Sequence, residues 1–379
     1  MVNKGLLTAS SSLVGTIIGA GIFGIPYTFA KAGFLAGTLF FVVLAALILL
    51  LHLMYAEVVE RTSEKHRLIG YSKKYFGDGV RDLVSLSVVV SVFGSLVVYI
   101  ILANNFVADL FGSPDTALPF LWGGLFWLLL SIAIIKGIKT IARVEMYILG
   151  ILVITLVMLI FKGAPLVQVS NFSGVNWSNV FLPYGVILFS LGGFAAVPEI
   201  RSLLPSGGKT FLRSVIIGFM VAAIITYLFA FVVVGVSGAS TSEDAIGGLL
   251  PFIGPVVGYL GAIFGVMTLM TSYLVIGINL KESFMYDWGM SKAKSELLVV
   301  VVPMALVLMG IRNFISVIAI TGSIMGAVNG SMIALLFAKA KKHGDREPEF
   351  SISIPKFIIG LLILILVIGG IYETINVIK

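Results

Sequence analysis

The chain has no cysteine among its 379 residues. That excludes disulfide bridges, thiolate chemistry and cysteine-ligated metals, while leaving the compartment open. Charge is also scarce: Asp, Glu, Lys and Arg together make up 11% of residues, and there are three histidines. In their place stands apolar mass, with 59% hydrophobic residues and a mean hydropathy of +1.11. A water-soluble domain cannot hide that much apolar surface, so a polytopic membrane protein set in a lipid bilayer is expected. No cleavable signal peptide is read at the start, because the first apolar stretch has no polar cleavage region and runs on into a glycine-rich segment.

Apolar stretches of bilayer length recur at 6–33, 34–60, 82–111, 118–136, 141–162, 179–204, 211–237, 251–286, 295–311, 313–339 and 356–377, about eleven spans in all. The stretch 251–286 exceeds one bilayer thickness and is expected to tilt or extend beyond it. The net charge of +7 invites a nucleic-acid reading, which the placement of the charges removes. Of the 25 Lys and Arg, all but Lys31, Lys162, Arg312 and Lys379 fall on the side of the N-terminus. By the positive-inside bias the N-terminus is expected in the cytoplasm and the C-terminus outside, in the plasma membrane, with no nucleic-acid partner. The basic stretch RTSEKHRLIGYSKKYFGDGVR (61–81) reads as a solvated cytoplasmic loop.

Two spans carry breaks. GTIIGAGIFGIPY (15–27) holds Gly15, Gly19, Gly21 and Gly24 and reaches Pro26. Glycine weakens a helix by about 1 kcal/mol relative to alanine, and proline removes a backbone donor. The sixth span, LPYGVILFSLGGFAAVPEIRSLLP, has Gly192-Gly193 in its middle, with Pro183 and Pro198 on either side. Five spans separate its start from that of the first, so the two cross in opposite directions. Paired breaks in two inverted halves point to a transporter binding site. The competing reading is close helix packing, for which glycine is common in membranes.

GTIIGAGIFGIPYTFAKAGF, HLMYAEVVERT and PYGVILFSLGGFAAVPEI together resemble the amino acid/auxin permease family of the amino acid–polyamine–organocation superfamily. The resemblance implies the leucine-transporter fold: an all-α membrane protein in a single transmembrane domain, with five-helix inverted repeats at about 6–162 and 179–339 and an added helix at 356–377. It implies an amino-acid permease rather than an enzyme, with no resident cofactor.

A break near Gly19-Ala20-Gly21 frees the N–H groups of Ala20, Gly21 and Ile22 at the positive end of a half-helix, where they suit a carboxylate. Carbonyls such as those of Ile17 and Ile18 then face an ammonium group or a cation. The sixth span is expected to add the Phe189 and Ser190 carbonyls around Gly192, with Phe194 as a gate, and Tyr99 to offer a phenol to the carboxylate. The donor and acceptor set matches a zwitterionic amino acid. No charged residue stands at these positions, which favours a neutral or aromatic side chain.

In the eighth span Thr268, Thr271 and Ser272 share one helix face. Their hydroxyls either form an oxygen cage for a small hard cation or bond their own carbonyls one turn back. The resemblance implies the former: Thr271 and Ser272 match the hydroxyl pair of a sodium site, with the Gly15 and Ile18 carbonyls opposite. Protons are the alternative coupling ion. Lys162 lies only at the outer end of the fifth span, which weakens a lysine mechanism. Glu57, Glu145 and Glu199 are intramembrane candidates, but each has an arginine nearby in sequence: Arg61, Arg143 and Arg201. His52 reads as a packed histidine. GVSG (235–238) imitates a serine-nucleophile motif, yet no histidine falls near it in the predicted topology, and a Ser–His pair is not expected.

Overall fold

The computed structural model describes residues 4–111, 120–136, 141–172, 174–204, 207–286 and 288–378. Among them all the regular structure is helical. The first span is a pair, α1 (Lys4–Ile17) and α2 (Gly21–Ala32), bent by 56° at residues 18–20. Gly33 then turns the chain at φ 91°, and a β-carbon there would strike the Gly174 carbonyl oxygen at 1.6 Å, so only glycine fits. The long α3 (Phe34–Glu60) follows, then a short α4 (Leu68–Phe76), α5 (Asp78–Phe111), α6 (Leu121–Lys136) and α7 (Ile141–Gly163).

The sixth span is again a pair, α8 (Pro183–Leu191) and α9 (Ala196–Leu203). After it come α10 (Gly208–Ser237), the single turn α11 (Leu250–Ile253), α12 (Pro255–Tyr286) and α13 (Lys292–Leu308). The tenth span comprises α14 (Phe314–Ile324), a π-helical turn over Met325–Gly330, and α15 (Ser331–His343); α16 (Lys356–Ile378) ends the chain. Ser291 and Asn313 cap α13 and α14 by accepting from the Lys294 and Ser316 N–H groups.

Among the described residues seven helices are long and apolar enough to cross a bilayer, or eight counting the bent α1–α2 pair. The fourth, fifth and ninth expected spans fall on α6, α7 and α13, whose described apolar stretches are shorter. Helices dominate for a physical reason: hydrocarbon offers no partner for a backbone N–H or C=O, so each segment bonds to itself. Outward faces are apolar, including Leu39, Val43, Leu129, Ile154, Leu364 and Ile368, as lipid contact requires.

Two expectations change. Residues 61–81 are not an open loop: α4 buries Tyr71, Ser72 and Tyr75 against α5 and α15 and turns Lys73 and Lys74 outward, and α5 already begins at Asp78. The stretch 251–286 is not one helix, because Gly254, at φ 82°, separates α11 from α12. The start of the fourth span, at 118–119, lies outside the described residues.

In the centre, α2 packs on α8 and α1 packs on α9 and α10, while α14 seals α8 from the far side. The two breaks therefore meet in the core.

Candidate functional site

At the first break the Gly19 N–H turns back to the Ile17 carbonyl at 3.0 Å. In a continuous helix it would reach Gly15. The next N–H groups to find helical-type partners are those of Ile22, to Gly19 at 3.4 Å, and Phe23, to Ala20 at 3.3 Å. Among the described residues, the Gly15 and Ile18 carbonyls thus lose their partners four residues on, and the Ala20 and Gly21 N–H groups find no backbone acceptor. Ile22 departs from the sequence reading, since its N–H is taken by Gly19. Ile17, Ile18, Ala20 and Ile22 are all buried. A β-carbon on Gly19 would meet nothing within 4 Å, so the break has open space at its most accessible backbone.

At the second break the Phe194 N–H bonds Gly192 at 2.5 Å and the Gly193 N–H bonds Leu191 at 3.0 Å. The Ser190 carbonyl is released, whereas that of Phe189 accepts from Gly192 at 3.4 Å. The Ser190 hydroxyl is buried with no hydrogen-bond partner. Small residues hold the breaks together: a β-carbon on Gly193 would lie 2.6 Å from Ile17 Cγ1, and one on Gly192 2.3 Å from Met325 Cε. Phe194 is buried, its ring 4.5 Å from that of His52, which also contacts Phe219 at 5.2 Å. His52 itself is fully buried, with Nδ1 2.9 Å from the Ile48 carbonyl, as a packed histidine should be.

Tyr99 is half-buried on α5. Thr268 and Thr271 are buried and Ser272 half-buried on α12. The Thr271 hydroxyl donates to the Thr268 carbonyl at 2.9 Å, which still leaves its oxygen lone pairs free to face a cation. α12 packs mainly against α5 and α7, with no comparably extended contact with α1.

Around the basic end of α3 the ion pairs differ from those read in the sequence. Glu57 does pair with Arg61, at 2.7 Å, and also accepts from the Ser351 hydroxyl at 3.0 Å and the Ile352 N–H at 2.7 Å. Arg201, however, pairs with Glu60 and not with Glu199; Glu60 also holds Arg346 at 2.8 Å, and Glu199 meets Arg67 at 3.6 Å on the surface. Asp345 takes Lys74 at 2.6 Å and the Ser63 N–H at 2.8 Å, and these bonds, the lysine's above all, hold its carboxyl down to about 2. The side chains of Glu145 and Arg143 lie outside the described residues. The sequence reading missed two acids, Glu60 and Glu373. Glu60 stands one turn past Glu57, and Glu373 is the one acid in the last span. The Ser237 hydroxyl of GVSG donates to Val233 at 2.7 Å and lies 2.8 Å from Thr241 Oγ1. It is an end-of-helix serine.

The fold is shared with a solved structure. A crystal structure of MhsT in complex with L-phenylalanine superposes with a TM-score of 0.69, covering 99% of each chain at 19% identity. Glutamine transporter 2 of Aliivibrio fischeri (strain ATCC 700601 / ES114) is 23% identical over 338 residues, 86% of this chain and 86% of that protein. These matches are to transporters and not to enzymes, within an all-α membrane protein of the leucine-transporter type. The family that matches is other than the amino acid/auxin permeases that the motifs resemble. The match runs over residues 2–373, and the chain belongs to the tryptophan/tyrosine permease family.

Proposed function

We propose that the protein is a secondary active transporter of neutral L-amino acids, aromatic ones included, that works by alternating access in the cell membrane. The observation that carries this reading is the meeting of two broken helices. They leave the Ala20 and Gly21 N–H groups and the Gly15, Ile18 and Ser190 carbonyls without helical partners, in largely buried segments, 15–24 and 189–195, that carry no charged residue. Irregular backbone at bilayer depth is tolerated where it lines a cavity or a ligand. The donors suit an α-carboxylate and the acceptors an α-ammonium. The family's name and the phenylalanine held by MhsT support an aromatic substrate, and the glutamine relative supports a neutral one. The positive-inside bias of the basic loops supports a cytoplasmic N-terminus and an outer C-terminus.

Sodium is the coupling ion we favour, held by the Gly15 and Ile18 carbonyls with Thr268, Thr271 and Ser272. Neutral oxygens replace a hydration shell without burying a net countercharge. A proton gradient is the alternative driving force. Uptake of a panel of radiolabelled amino acids into proteoliposomes tests the reading. Accumulation of tryptophan, tyrosine or phenylalanine, competed by free acids but not by their methyl esters, is the expected result. Binding without uptake would instead indicate a transporter-fold sensor, and methyl esters that compete as well as free acids would overturn the site.

A further inference from the structure

Glu373 lies in α16, inside the last span, and is 2% exposed. Its Oε1 is buried with no hydrogen-bond partner. Intramembrane carboxyls are rare and belong to ion or proton paths unless a partner neutralises them. Each helix packed against α16 can be searched for that partner. From α14 and the π-helical turn, residues 314–338 contain no Asp, Glu, Lys, Arg or His. α8 presents the Tyr184 phenol, within electrostatic reach of Glu373, but its hydroxyl already donates to the Ile365 and Leu366 carbonyls at 3.2 and 3.1 Å.

The lysines of α15 and His343 stand at the other end, where α16 begins at Lys356; Glu373 is about 25 Å further along at 1.5 Å per residue. On its own helix the neighbour is Tyr372. The groove between α3, α8 and α16, lined by Phe40, Leu44, Phe181, Tyr184, Gly369 and Tyr372, is apolar. No cation reaches this carboxyl among the described residues.

Close packing keeps water out as well. A β-carbon on Gly369 would lie 2.3 Å from Tyr184 Cζ, and one on Gly370 3.1 Å from the Ser323 carbonyl oxygen. α16 is thus pressed onto α8 and α14 at the level just below Glu373. An ionised carboxylate here, 2% exposed, has little hydration and, among the described residues, no counter-ion.

We propose that Glu373 is a proton-binding side chain that latches α16 to the outer half of the sixth span. With the proton on the carboxyl, the neutral group tolerates the dry packing described above. When the O–H bond breaks, the proton passes to water and the carboxylate needs hydration, so α16 parts from α8. Because α8 carries Ser190 and ends at Leu191, where the second break begins, external pH acts through this latch on the substrate site. That last step alone rests on the transporter reading.

The test uses the purified full-length chain in liposomes. Infrared difference spectra between about pH 5 and about pH 10 are expected to show a carboxylic-acid band that persists above the ordinary carboxylate range and is absent from Glu373→Gln. In this cysteine-free chain, Phe181→Cys places one thiol at the α8–α16 contact, where the Phe181 ring lies 4.6 Å from that of Tyr372. Its maleimide labelling, taken at each pH relative to the same thiol in the denatured chain so that thiol ionisation cancels, is expected to rise with pH, to stay low at every pH when combined with Glu373→Gln, and to keep a displaced pH response with Glu373→Asp. An acid band unchanged in Glu373→Gln, or labelling with the same pH response in that variant, would overturn the proposal. Both readouts are independent of transport. A chain that passes them and accumulates no amino acid would refute the proposed function and not the latch.

Discussion

Gly21 stands so close to Ser190 that a β-carbon on the glycine would come 2.6 Å from the Ser190 Cα and 2.8 Å from its Cβ. The first and sixth spans touch backbone to backbone at the point where both are broken. Gly19, two residues earlier, has nothing within 4 Å of the same construction. Gly21→Ala is therefore expected to force the spans apart, with an overpacking cost of about 1–3 kcal/mol, read as a lower unfolding temperature. Gly19→Ala is expected to keep wild-type stability and to weaken substrate binding, because its methyl group enters the open space beside the break. Thermal unfolding and equilibrium binding, measured on both variants, check the contrast.

Ser190 offers a buried hydroxyl that bonds nothing in this conformation. Deleting an already unsatisfied group leaves stability nearly unchanged. Ser190→Ala is expected to unfold at the wild-type temperature and to bind amino acid about tenfold more weakly, a difference of about 1.4 kcal/mol. Equal affinity would remove Ser190 from the site.

Thr271 is the cleanest probe of the ion. Valine keeps the shape and deletes the oxygen that now donates to the Thr268 carbonyl at 2.9 Å. Under the sodium reading, Thr271→Val raises the Na⁺ concentration for half-maximal uptake several-fold. Uptake driven by a pH gradient without sodium, and indifferent to this substitution, would decide for protons.

Glu60 and Glu199 separate a buried ion pair from a surface one. Glu60 is fully buried between Arg201 and Arg346, and Glu60→Ala leaves the largely buried Arg201 with only the distant Glu349 carboxylate at 3.9 Å, while Arg346, 39% exposed, turns to water. The expected loss is about 3–5 kcal/mol. Glu199 is 61% exposed and meets Arg67 at 3.6 Å, so Glu199→Ala is expected to cost under about 1 kcal/mol. Chemical unfolding of the two variants in detergent gives the comparison.

Asp345 sets a pH window for the segment after α15. Its carboxyl is held down to about 2, below its ordinary 3.8, chiefly by the Lys74 hydrogen bond. A depressed carboxylate stabilises the folded state fully above its unfolded value, and that contribution fades as pH falls toward the folded value. Docking of this segment on α4 is expected to weaken between about pH 4 and about pH 2. Limited acid proteolysis should cut it faster in that window, and Asp345→Asn should lose the pH dependence.

Particular residues show how far the sequence could be read. Breaks expected near 19–21 and 190–193 fall at 18–20 and 192–195, and they were visible because glycine and proline act locally on the helix they interrupt. Glu57 was correctly paired with Arg61 because the partners stand one helical turn apart. Arg201 was misassigned to Glu199 by the same local logic, since its real partner is 141 residues away on α3. α4 was read as a loop because its charged residues dominate a nine-residue stretch, while its buried tyrosines find their partners only in α5 and α15.

By itself, the sequence determined that this chain lives in a bilayer, where its long apolar stretches run, that two of them break and on which side its basic residues gather. Each of those follows from hydrocarbon's inability to solvate backbone or charge, and so depends only on runs of neighbouring residues. The tertiary structure alone decided that Gly21 meets Ser190, that Glu60 gathers Arg201 and Arg346, and that Glu373 is buried with no cation beside it among the described residues. Those are contacts between distant segments, and their energies depend on which faces the packed helices turn toward one another.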